Sequence, residues 1–174
     1  MEVKKGLKII VLISLIAIVL FAYLTDLHHK GGSGSFCDIN QGVSCDIVDK
    51  SVYSEIFGIP VSLLGMLTFV IVGALASLGL KKDANEKPIL KMLLAIMVFS
   101  MLFSLWLIYA ELFLTLSICL LCVIADVLIL IKLFLLIHMN RSHLGKNLIN
   151  AAMLLLIVSS AIVLYLIFRI ISEV

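Results

Sequence analysis

Charged side chains make up only 14% of this 174-residue chain, and it has just two prolines. An average soluble domain carries about 25% charged residues, so a soluble fold of this size is excluded. The formal charge of +2 at pH 7, spread over dispersed lysines, gives no basic face for nucleic acid. No glycine-rich dinucleotide pattern occurs, and Val123 rather than a histidine follows Cys122, which removes haem attachment. What the chain has in abundance is apolar sequence, 63% of all residues. It is gathered into five stretches of about twenty residues, the length of helix that crosses a hydrocarbon core of ~30 Å.

The first stretch, Leu7 to Leu24, follows Lys4, Lys5 and Lys8 and so begins like a secretory signal peptide. Its apolar length exceeds an h-region of about 7–15 residues and no small-x-small site closes it, so it is expected to stay as helix one. A polar loop over 25–58 follows. The second span, 59–80, opens at Gly58-Ile59-Pro60, where proline suits a first helical turn. From Ile89 to Ile137 the sequence stays predominantly apolar, about twice the length one crossing needs. It must therefore double back near Leu112 to Ser117, although no glycine or proline marks the turn, giving spans 89–112 and 116–137. The fifth span is 148–171. With the N-terminus in the cytoplasm, Lys4, Lys5, Lys8, Lys81, Lys82, Lys87, Lys91, Arg141 and Lys146 fall inside and only Lys30, Lys50 and Arg169 outside. That bias satisfies the positive-inside rule and predicts a multi-pass protein of the cell (inner) membrane, with all four cysteines on the external face.

Cys37 and Cys45 lie in the long loop, and Cys119 and Cys122 form a C-x-x-C at the start of span four. On one continuous helix Cys37 and Cys45 would be about 12 Å apart, beyond the ~7 Å limit for a disulfide. Bridging them requires a turn, which Gly42 could supply. In the C-x-x-C, helical Cβ atoms ~5–6 Å apart must approach to ~3.5–4.5 Å, so closure demands distortion or a first-turn position. There the unsatisfied N–H groups of the helix stabilise a thiolate. Two static disulfides or a four-cysteine zinc site are the competing readings; seven residues between Cys37 and Cys45 fit zinc poorly. His28 and His29 could assist a metal but are expected to be solvated. Electrons entering from external dithiols need an exit, and a membrane offers a lipid-soluble quinone.

The ordered set Cys37-Asp-Ile-Asn-Gln-Gly-Val-Ser-Cys45, Ser51, Ile56-Phe57-Gly58-Ile59-Pro60 and Cys119-Leu-Leu-Cys122 resembles the vitamin K epoxide reductase family in its prokaryotic form. The resemblance implies an all-α integral membrane protein of five transmembrane helices. Four of them would form a bundle around a quinone and the fifth would be added to it, all within one membrane domain over 1–174. It implies that Cys122 delivers electrons to the quinone, that Cys119 exchanges with Cys45, and that Cys37 faces the redox partner. Ser51 takes the place of a supporting serine or threonine, and Phe57 that of an aromatic lining the quinone pocket. Ser54 stands where animal members have an asparagine on the quinone carbonyl, and Asp126 where they have a tyrosine. Many prokaryotic members continue into a thioredoxin-like domain, whereas this sequence ends at Val174. A periplasmic or external thioredoxin-like, DsbA-like partner is therefore expected in trans.

Positions 119, 122 and 126 fall on one helical face, which puts Asp126 about 10 Å below the first cysteine, as a proton donor to quinone or a buried neutral carboxyl. Glu111 is expected at the external boundary, and Lys132 is expected to snorkel toward the cytoplasm. The run Gly31-Gly-Ser-Gly-Ser35 reads either as an engineered linker or as a natural flexible tether ahead of Cys37. Together these readings predict a quinone-dependent thiol-disulfide oxidoreductase using ubiquinone, menaquinone or a vitamin K type quinone. The alternatives are a DsbB-type oxidase, a reductase of vitamin K or its epoxide, and a non-enzymatic membrane protein with structural disulfides.

Overall fold

A computed structural model describes residues 3–30, 37–39, 42–81, 84–140 and 146–173. The glycine-serine run at 31–35, Lys82 and Arg141 lie outside the described residues. Five long helices carry the fold: α1 (Val3–His29), α3 (Val61–Gly79), α4 (Glu86–Ala110), α5 (Leu120–Asn140) and α6 (Lys146–Glu173). Each includes a stretch long and apolar enough to cross a membrane, and they match the five expected spans to within a few residues at most ends. The larger excess is in α1, which runs on through Thr25 to His29 past the apolar segment.

Between α1 and α3 the expected loop holds more order than its polarity suggests. It contains a short helix α2 (Cys45–Asp49), a 3₁₀ turn (Val52–Ser54) and a hairpin of β1 (Glu55–Ile56) on β2 (Ile59–Pro60). The turn between α4 and α5 falls where chain length requires it. Helix α4 widens into a π turn over Glu111–Thr115, and Leu116 then adopts the left-handed region at φ +53°.

Helices α1 and α3 approach most closely, through glycines on α3. A Cβ at Gly65 would lie 2.6 Å from the Phe21 ring, and one at Gly79 would lie 2.9 Å from Leu7. Small residues matter here because lipid supplies no hydrophobic force between helices, leaving close packing to hold them. Leu7, Ile10, Val72, Leu93, Met97 and Leu133 fill the half of the bundle remote from the cysteines. Helix α6 packs outside, its Val163, Leu166 and Ile170 joining Ile108 and Val123 of α4 and α5.

Lys132 does not snorkel. Its side chain is fully buried, with Nζ donating to Ser14 Oγ at 2.9 Å and lying 3.9 Å over the Phe69 ring. Its place on α5 faces α1 and α3, and both the hydroxyl and the ring satisfy the amine from there. Ser14 Oγ in turn donates to Ile10 O at 2.8 Å.

Candidate functional site

The loop after α1 docks on the turn before α5 through backbone pairing. Val43 and Ile118 form a parallel bridge, with Ser44 N–H donating to Ile118 O at 3.2 Å and Ile118 N–H donating to Gly42 O at 3.0 Å. Such pairing fixes register, so the residues that follow on each strand are placed relative to one another. On the loop side, Ser44 caps α2 by accepting from Ile47 N–H at 3.1 Å, which puts Cys45 in the first helical turn. On the other side Cys119 occupies the capping position of α5. Its carbonyl accepts from Val123 N–H at 3.1 Å and its Sγ from Cys122 N–H at 3.3 Å.

Cys37 and Cys45 form a disulfide with Cα atoms 5.7 Å apart, and Gly42 stands in the turn that the spacing demands. Cys119 and Cys122 are thiols. The Sγ atoms of Cys119 and Cys45 are 3.3 Å apart and buried, so a sulfur of the C-x-x-C touches the loop disulfide. The two cysteine pairs, far apart in sequence, thus meet at one end of the bundle.

Below them lies a partly open cavity of about 730 Å³ between α1, α3, α4 and α5, roofed by α2 and the segment that follows it as far as Ile56; among the described residues α6 contributes nothing to its wall. Cavities of this size hold drug-sized ligands. Cys45, Cys119 and Cys122 line its upper end, and Phe69 and Ile129 lie deeper. Asp126 is buried in the wall and accepts a hydrogen bond from Ser104 across the α4–α5 interface. The expected alignment of Cys119, Cys122 and Asp126 therefore holds, since all three face this one space.

Ser51 and Ser54 also border the cavity, with their hydroxyls engaged by the backbone. Ser51 Oγ donates to Val48 O at 2.7 Å, and Ser54 Oγ lies 2.5 Å from Asp49 O and 2.8 Å from Ser51 O, closing the end of α2. His28 is not simply solvated. Its Nδ1 is 3.3 Å from Asp49 Oδ2 and its Nε2 is 3.0 Å from Glu55 Oε1, which ties the end of α1 to α2 and to the hairpin. Burial pushes the Asp49 carboxyl above the usual carboxylate range, and His28 opposes that rise.

Two expectations need correction. Phe57 does not line the cavity: it occupies the two-residue turn between β1 and β2 at φ +54°, beside Gly58 at +78°, and its ring is fully exposed. Two successive positive φ values make a primed hairpin turn, which throws the side chain outward. Glu111 is not a boundary residue. It is 5% exposed, lines the cavity beside Cys119 and Cys122, and accepts from Cys119 N–H at 3.3 Å through Oε2. The available signal was a carboxylate in an otherwise apolar stretch, at the one place where that stretch must turn.

No curated protein matches the chain at a significant level. A family model does match, over residues 8–137, from the first turns of α1 into the last turns of α5. With the match spanning most of the sequence, the chain belongs to the vitamin K epoxide reductase family and is a multi-pass membrane oxidoreductase of a quinone-linked kind.

Proposed function

We propose that the protein oxidises the dithiol of an external thioredoxin-like partner and passes two electrons to a membrane quinone. The observation that carries this reading is the 3.3 Å approach of Cys119 Sγ to the Cys45 sulfur of the loop disulfide, directly above a membrane-embedded cavity. Thiol-disulfide exchange proceeds by thiolate attack on a disulfide sulfur, and these two sulfurs are already in contact. The partner reduces Cys37–Cys45 through Cys37. When quinone has oxidised the C-x-x-C, the Cys45 thiolate attacks Cys119 of the Cys119–Cys122 disulfide, which forms a Cys45–Cys119 disulfide and releases Cys122 as the thiol facing the cavity. Cys37 then attacks Cys45, restoring the loop disulfide and leaving Cys119 and Cys122 as the dithiol that quinone reoxidises. Overall the partner loses two thiol protons and two electrons, and the quinone leaves as hydroquinone.

The cavity wall suits that acceptor. It is largely apolar, as a quinone ring and isoprenoid tail require, and Asp126 with Ser104 supplies a polar pair in its wall for a ring oxygen. Ser54 and Ser51 support the roof. The cysteine end faces the external side, in keeping with the lysines concentrated at the opposite end. This orientation gives the loop an oxidising compartment.

Cys122→Ser tests the route. The loop pair of the variant should still exchange with a thioredoxin-like dithiol, and a Cys45–Cys119 disulfide should accumulate. Quinone reduction in proteoliposomes should fall to background. Undiminished quinone reduction in this variant would reject the route.

A further inference from the structure

Glu111 is buried at the junction of the two cysteine pairs, and it is fixed there from both sides. Its backbone ends α4, and its Oε2 accepts the Cys119 N–H at 3.3 Å at the start of α5. Cys119 and Cys122 line the same cavity as that carboxyl group, and the Cys122 N–H donates to Cys119 Sγ at 3.3 Å, which holds the two cysteines together beside it. Two further carboxyls border the cavity: Asp49 in the roof, held by His28, and Asp126, one turn of α5 deeper than Cys122 and bonded to Ser104. Among the described residues, Glu111 is thus the carboxyl group that a hydrogen bond ties to the C-x-x-C, within the cavity that both cysteines line. A carboxyl group accepts an amide N–H with or without its own proton, so Glu111 keeps its place through a protonation cycle.

We propose that Glu111 is the proton-transfer residue of the C-x-x-C, taking a thiol proton from the Cys119/Cys122 pair and handing it to the acceptor in the cavity. When the dithiol closes, two S–H bonds break and one S–S bond forms. Two electrons and two protons pass to the quinone, which leaves as hydroquinone. Glu111 carries one of those protons. Its carboxylate becomes a carboxylic acid as the thiolate forms, and reverts when the proton reaches a ring oxygen. The acceptor half of this inference rests on the quinone reading above; the thiol half does not.

Glu111→Gln separates proton transfer from a structural role, because the amide oxygen of glutamine still accepts the Cys119 N–H while the side chain no longer takes a proton. In purified protein with the loop disulfide intact, the C-x-x-C thiols of Glu111→Gln should react with N-ethylmaleimide about tenfold more slowly than those of the wild type at neutral pH. Quinone-driven oxidation of the dithiol should slow by about 10²-fold, a loss typical of a missing general base. The rate in the variant should climb with pH while Glu111→Asp recovers part of the activity. Wild-type alkylation and quinone-reduction rates in Glu111→Gln would overturn the proposal and leave Glu111 as a cap for α5. If the alkylation difference appears but quinone fails to oxidise the wild-type dithiol, the thiol-to-Glu111 transfer stands and the quinone reading falls.

Discussion

The two halves of the bundle are built on opposite principles. At the cysteine end, α1, α3, α4 and α5 leave a cavity of about 730 Å³ and turn Glu111, Asp126 and Ser104 toward the interior. At the other end the same four helices close on Leu7, Leu90, Leu93, Met97, Leu133 and Leu136, and the polar pair Lys132–Ser14 is held within that packing. Phe69 and Ile129 mark the border: both line the cavity, and Lys132 lies over the Phe69 ring. In lipid, where apolar burial brings little gain, helices are held by packing and by satisfied polar groups. The filled half supplies that hold, which lets the other half remain open around its chemistry.

Substitutions of similar size in the two halves should separate these principles. Leu133→Ala is expected to have the largest effect, destabilising the detergent-solubilised protein by about 2–5 kcal/mol through the void left in a filled core. Leu107→Ala enlarges a space that already exists and should cost no more than about 1 kcal/mol. Equal losses of unfolding midpoint would erase the distinction. The next effect concerns the polar pair. Ser14→Ala strips the amine of its hydroxyl and should cost about 1–3 kcal/mol, whereas Lys132→Met, of similar volume, should be close to neutral. If Ser14→Ala costs as much in a Lys132→Met background as in the wild type, the Lys132–Ser14 bond carries none of the loss.

The five spans were legible because a membrane helix must be apolar over a fixed length, and the doubling back near Leu112 to Ser117 followed from that length together with the polar Glu111 and Ser117. The meeting of Cys45 with Cys119 was legible only through the family resemblance, since no local pattern announces the Val43–Ile118 bridge that sets it. Polarity misjudged the loop. His28, expected to be solvated, instead draws Asp49 and Glu55 together, a tertiary contact without sequence periodicity. Glu111 and Lys132 were misjudged for a related reason. An ionisable residue in an apolar stretch can reach water or be satisfied inside, and which occurs depends on the neighbour it meets: Cys119 N–H for one, Ser14 and Phe69 for the other.

Phe57 offers the finest test of where the open half ends. The family resemblance puts its ring in the lining of the quinone pocket, but the positive φ of the hairpin turn directs it away from the cavity. Phe57→Ser should therefore leave the KM for quinone within about two-fold of the wild type, since no lining atom is removed. Phe103→Ala takes a ring out of the lining itself. Loss of that apolar contact, on the order of 1.4 kcal/mol, should raise KM about tenfold. The reverse ranking in steady-state assays on proteoliposomes would mean that the hairpin folds inward over bound quinone, and that the lining continues past Ile56 of β1 to the hairpin turn itself.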